Sequence, residues 1–279
     1  MKKRILAVVL LLLLTFGIVG PSVADSELSV ERHFAAPTYY DSYLTIPTGK
    51  TFAYYAQNDP LWGGMCYESR NSGKWRPFRD GGCCPTSVAM ALRCILTPEE
   101  LLALSDHYKT PYSLCEDSIN RVRCDSRCTR YFITSAADYA KFLPVVMGDF
   151  ATGNNDRGIV SRSDNVGTGL QFIDALVSIF DLELKKTESI KEAVIAADNG
   201  CGVVAFAGRD GAFTGTGHYV LLAGADEDYY YFLDPLCRED YSKTDKYGTI
   251  TVFDQGSVGV KKEKLLDARL YSFIILSKK

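Results

Sequence analysis

Two adjacent cysteines in "DGGCCPTSVAMAL", Asp80 to Leu92, raise the first chemical question of this chain. Two glycines precede them, and a proline and an apolar run follow. Such a pair can be half-cystines, metal ligands or, for one member, a nucleophile. A cysteine nucleophile needs a base for its proton, a group that orients the base, and donors for the oxyanion formed on attack. A free thiol titrates near ~8.5, and a helix N-terminus or a neighbouring imidazolium can bring that down to roughly 3.5–7.5. Pro85 suits the first helical turn, where its missing N–H does no harm. Val88, Leu92 and Ile95 follow at i, i+4 and i+7, predicting one apolar helix face. Cys83 would then face the positive end of the helix dipole.

The chain has three histidines from which a base could come. His33 lies in a polar N-terminal stretch. His107 falls near the end of a helix predicted over "TPEELLALSDHY", where a cation favours the dipole. His218, in "FTGTGHYVLLAG", follows three spaced glycines and starts an apolar strand. Glycines there let backbone come close to a neighbour or ligand. Taken alone, a histidine at a strand start is more often structural. The next run, "YYYFLDP", ends on Asp234, and in an antiparallel hairpin residues 218 and 234 fall near the same end. A His–carboxylate pair is therefore geometrically reasonable. Gln57, in "QNDPLW" ahead of the helix, could offer its side-chain amide to an oxyanion.

The elements that must position these residues change character along the chain. Helices are predicted from Pro85, over "TPEELLALSDHY" with a Thr97–Glu100 capping box, and over "TSAADYAKFL", "GLQFIDALVSIF" and "ESIKEAVIAADNG". Asn199-Gly200 stops the last. Then come short runs rich in β-branched and aromatic residues: "CGVVAFAG", "HYVLLAGA", "YYYFLDP", "GTITVF" and "LYSFIIL". A helical half followed by a strand-rich half predicts α+β. Residues ~109–166 read as a Cys-containing insert, with "GDFATGNNDRG" as an exposed loop. The spacing of Cys124 and Cys128 is not a clean zinc signature, and with Cys115 they read as disulfide staples of a long loop.

At the N-terminus Lys2, Lys3 and Arg4 precede the apolar run Ile5 to Val19, then Pro21 and small residues up to Ala24. That is a secretory-signal pattern, and the run is shorter than the ~20 residues a bilayer span needs. The expected division is residues 1–24 as signal peptide, 25–50 as an extension, and 51–279 as the domain. The chain carries a net charge of −3, and removal of the three basic residues moves it to about −6. A mildly acidic surface argues against nucleic acid or anionic membrane as main partner. The nine cysteines all lie beyond the signal, and an odd count in an exported chain leaves at least one thiol unpaired.

Three of these stretches in order, "QNDPLW", "GGCCPTSVAMAL" and "GTGHYVLLAGADEDYYYFLDP", resemble the secreted branch of the papain-fold cysteine peptidases related to the double-glycine, bacteriocin-leader-processing enzymes. The likeness spans about 51–279 apart from the insert. It implies a papain-like fold, a helical lobe packed on an antiparallel sheet lobe. It also implies Cys83 as nucleophile, His218 as general base and acid, Asp234 as orienter and Gln57 as oxyanion donor. Cys84 stands where the family usually has glycine. No cofactor or metal is expected, and the implied partner is a peptide or protein substrate outside the membrane, with no stable membrane insertion after signal removal. Two other readings fit the same residues: a thioester acyl transferase, and an inactive disulfide-rich binding module on the same fold.

Overall fold

The runs "GVVAFA", "HYVLLAGA" and "YYYFL" are apolar on nearly every residue, as strands covered on both faces must be. In the computed structural model they lie side by side in a seven-stranded antiparallel sheet. The structure describes residues 42–68, 75–107, 112–115, 130–133, 135–152, 170 and 172–279. His33 and the signal-like segment therefore lie outside the described residues.

In chain order, β1 (Ser42–Thr45) and β2 (Thr51–Tyr54) form a hairpin, and β3 (Cys66–Glu68) pairs with β4 (Trp75–Pro77). Helices α1 (Phe78–Gly81) and α2 (Cys83–Ile95) follow, then a 3₁₀ helix over Glu100–His107. β5 (Tyr112–Cys115) pairs with β6 (Arg130–Ile133). Then come α3 (Ala136–Lys141), α4 (Leu143–Thr152), α5 (Phe172–Phe180), β7 (Leu182–Thr187) and α6 (Ile190–Asp198). The strand-rich part is β8 (Gly202–Ala207), β9 (His218–Ala225), β10 (Tyr229–Leu233), β11 (Ile250–Asp254) and β12 (Ser257–Lys261), closed by α7 (Leu265–Ala268) and β13 (Leu270–Lys278). The sheet order is β11-β12-β10-β9-β8-β13-β7. The class is α+β, as the sequence predicts.

Several local expectations change. The helix at the Cys83 motif is covered on all sides, with every residue from Cys84 to Leu92 buried, Thr86 and Ser87 included. It lies between α4 and the β8–β9 part of the sheet, so a single apolar face is not enough. Part of "GDFATGNNDRG" is not a loop: Gly148 to Thr152 belong to α4, and Phe150 and Ala151 are buried. Pro144, Gly148 and two valines make that stretch a poor helix former, and packing on α2 overrides the propensity. The Thr97–Glu100 capping box forms, with Thr97 N–H on Glu100 Oε2 at 2.8 Å, but it opens a 3₁₀ helix. Strands β7 and β12 were not foreseen; "LELKKT" is too charged and "SVGVK" too short to stand out.

Contact between α2 and β8 is backbone on backbone. A Cβ at Gly202 would stand 2.3 Å from the Ala91 carbonyl oxygen. Gly202→Ala must therefore push the helix and strand apart. We expect a loss of roughly 1–3 kcal/mol and a Tm drop of several degrees, measured by thermal unfolding against Gly200→Ala, whose added Cβ meets nothing within 4 Å but which strains a left-handed turn.

Candidate functional site

The motif "QNDPLW" folds as a tight turn built by its own residues. Asp59 Oδ1 accepts from the Leu61 N–H at 2.8 Å, and the buried Trp62 ring donates from Nε1 to the Ala56 carbonyl at 2.9 Å. Gln57 is thereby held inside, 3 % exposed. Its backbone N–H donates to Pro235 O at 2.7 Å, and its side-chain Nε2 donates to the Arg79 carbonyl, one helical turn before Cys83. An amide has two N–H donors, so one is left over.

Gly82 caps α2, and Cys83 is its first residue, partly exposed. A Cβ at Gly82 would stand 2.5 Å from the Phe78 ring, so glycine is required for this approach. The first turn of a helix leaves backbone N–H groups without internal partners. Cys84, one residue on, is fully buried. Burial, and then the Cys83 charge, raise its thiol well above the usual range. The two cysteines are both free thiols, one partly exposed and the other buried.

His218 opens β9, opposite Ala207 of β8, and is 2 % exposed. Asp234 follows the last residue of β10 and is fully buried. His218 Nε2 meets Asp234 Oδ1 at 2.7 Å. That leaves Nδ1 as the free ring nitrogen, and the Cys83 sulfur is near enough for its charge to act on the ring. Burial alone would lower the His218 pKa, but the Asp234 carboxylate and the Cys83 sulfur outweigh it and bring the pKa to about 9. For Asp234, burial pulls the other way, yet His218, Arg238 and Tyr241 hold its pKa at about 2. Hence all four residues named from the sequence, Gln57, Cys83, His218 and Asp234, converge on the junction of α2, β9 and the end of β10.

Other residues complete the site and were not singled out in the sequence. Leu236 N–H donates to Asp234 Oδ1 at 2.8 Å, Tyr241 Oη donates to Oδ2 at 2.5 Å, and Arg238 Nη2 stands 3.5 Å from Oδ2. Arg238 also lies over the Tyr241 ring at 4.3 Å. Tyr54 Oη donates to the Asp234 carbonyl at 2.8 Å. Phe213, fully buried, stands behind the imidazole with ring centroids 6.4 Å apart. Tyr219 neighbours the two cysteines: burial, then the Cys84 and Cys83 charges, raise its pKa. The signal was present in "DPLCREDY", where a cation and a tyrosine follow Asp234 at i+4 and i+7. A carboxylate buried at a strand end needs such partners.

A thiol at a helix start beside an imidazole that is held by a buried carboxylate is the arrangement a cysteine nucleophile needs. The model of the Peptidase_C39-like family matches residues 50–256, and the chain belongs to that family. No curated protein matches the sequence. Among solved structures, a C39-like peptidase candidate from Bacillus anthracis is similar at 17% identity with a TM-score of 0.29, covering 43% of this chain and 65% of that one. The match thus spans less than two thirds of that chain, and a TM-score so low carries no weight.

Cys83, Cys84, Cys94, Cys201 and Cys237 form no disulfide, and no metal-binding cluster is present among the described residues. The side chains of Cys66, Cys115, Cys124 and Cys128, and of His107, lie outside the described residues.

The His218 pKa gives a direct test. Folding stabilises the imidazolium; this contribution is complete below ~6.5 and is lost as pH rises through about 9. The Asp234 contribution is present above ~3.9 and is lost as pH falls through about 2. With three histidines in the chain, imidazole NMR can follow the titration. We expect a His218 midpoint near 9 that falls by roughly 1–3 units in Asp234→Asn. A midpoint near 6.5 in both proteins would contradict the pairing.

Proposed function

We propose that this protein is an exported cysteine peptidase-like hydrolase that cleaves a peptide or amide bond through an acyl-enzyme. The observation that supports it is the partly exposed Cys83 at the first residue of α2, near an imidazole that is locked through Nε2 on a buried carboxylate. Residues 1–24 would be removed on export, and the domain over 51–279 would meet a peptide or protein substrate outside the membrane. No helix among the described residues is long and apolar enough to cross a membrane.

The chemistry follows from the charges. An imidazolium on His218 and the N-terminus of α2 both favour negative charge on the Cys83 sulfur. The thiolate attacks the substrate carbonyl, forming a C–S bond and moving the carbonyl electron pair onto oxygen. The spare N–H of Gln57 and a backbone N–H of the first turn of α2 stabilise that oxyanion. Collapse breaks the C–N bond, and the proton on His218 goes to the departing amine. Neutral His218 then takes a proton from water as it attacks the thioester, releasing the acid and restoring the thiolate–imidazolium pair. Asp234 keeps the ring oriented throughout and stays ionised. Cys84 takes no part, because a buried thiolate is disfavoured.

Labelling of the full chain with a thiol-reactive acylating probe, followed by peptide mapping, tests this reading. Label is expected on Cys83, and we expect its rate to fall by about 100-fold or more in His218→Ala, given the usual contribution of a positioned base. Label on Cys84 instead, or an unchanged rate without His218, would overturn the assignment.

A further inference from the structure

The helix that begins with Cys83 and the strand that ends beside His218 run alongside each other. At one end Cys83 is near His218, which pairs with Ala207 at the end of β8. At the other end, Gly202 opens β8 against the Ala91 carbonyl, so closely that no Cβ fits. From Cys83 to Cys94 the helix covers about 17 Å at ~1.5 Å per residue. From Cys201 to Ala207 the strand covers about 20 Å at ~3.3 Å per residue. The two elements therefore match in length, and their far ends carry Cys94, one turn beyond Ala91, and Cys201, one residue before Gly202.

Both cysteines are half-buried free thiols, and both line one open cleft of about 380 Å³ with Lys50, Phe52, Arg93 and Asp198. Burial pushes the Cys94 thiol up to about 12, Arg93 opposes this, and the Cys201 charge adds to it. The other cysteines whose side chains are described have other surroundings. Cys83 is at His218, Cys84 is fully buried, and Cys237 is against Tyr54.

We propose that Cys94 and Cys201 are a disulfide site that staples the Cys83-bearing helix to the sheet, with a small-molecule disulfide reaching them through the cleft as the oxidant. The Cys201 thiolate attacks one sulfur of the donor, forming a mixed disulfide and releasing one thiolate. Cys94 gives up its proton to solvent and attacks Cys201 Sγ, releasing the second thiolate. Two protein thiols are oxidised, and the donor disulfide is reduced to two thiols. The bond closes a loop of about 107 residues, a length at which a cross-link strongly restricts the unfolded chain. A Cys94 thiolate this unfavourable is a poor leaving group, so the closed bond resists reduction. The staple sits at the opposite end of α2 from the chemistry. It fixes the helix relative to β8 without touching Cys83 or His218.

The test uses the full chain carrying Cys83→Ala, so that the site cysteine cannot take up the donor. The reduced protein is incubated with oxidised glutathione, alkylated, and mapped under non-reducing conditions. The Cys94 and Cys201 peptides are expected linked to each other, with Tm raised by about 5–10 °C over the reduced form. Adding Cys201→Ser should remove both the link and the rise. Recovery of Cys94 alkylated after oxidation, its linkage to a different cysteine, or an equal Tm rise without Cys201 would overturn the proposal.

Discussion

A carboxylate with no exposure to solvent is costly unless every lone pair is used, and the structure around Asp234 is organised by that constraint. One carboxylate oxygen is taken by His218 and the Leu236 N–H, the other by Tyr241 and Arg238. Its backbone is tied as well. The Asp234 N–H donates to Gly256 O, its carbonyl accepts from Tyr54, and the adjoining Pro235 carbonyl accepts from Gln57. Elements far apart in sequence, β2, the Gln57 turn, β9, β10 and the turn before β12, thus meet at one ion. The imidazole is oriented as a consequence.

The second organising feature is close backbone approach. Gly82 lets α2 start against Phe78, and Gly202 lets β8 pass Ala91. Gly256, at φ +84°, turns beside Tyr54 with no room for a side chain. Gly82 and Gly256 bring their elements nearer the Cys83–His218–Asp234 junction than a Cβ would allow, and Gly202 holds β8 against α2 at the far end of the helix. Cys237, in left-handed backbone at φ 51°, shows the same tension in the loop after Asp234, where a non-glycine residue adopts a strained conformation next to Tyr54. Strain of this kind persists only where surrounding contacts over-determine the backbone, and the Asp234 network provides them.

The long periodic elements were legible in the sequence because their signals are local. The capped helix after Ser189, stopped at Asn199-Gly200, and the apolar runs of β8, β9, β10 and β13 carry those signals in a few adjacent residues. Helix α4 and strands β7 and β12 were not legible. A proline- and glycine-containing stretch becomes helical because it is buried against α2, and "LELKKT" becomes a strand because β13 offers it a complete ladder. In both cases the deciding partner lies more than 40 residues away in the chain.

The same division runs through the candidate site. Sequence alone determined which residue types were available, the helix start at Cys83, and the placing of His218 and Asp234 at neighbouring strand ends, since each depends on adjacent residues and hairpin register. Tertiary structure decided how the two cysteines differ in exposure. Cys83 and Cys84 are equivalent by composition. The packing of α2 on the sheet leaves one thiol partly exposed near His218 and buries its neighbour completely, where a thiolate loses its solvation. Tertiary structure also recruited Tyr241, Arg238 and Tyr54 to Asp234, because the cost of burying a charge appears only once the fold has removed the water.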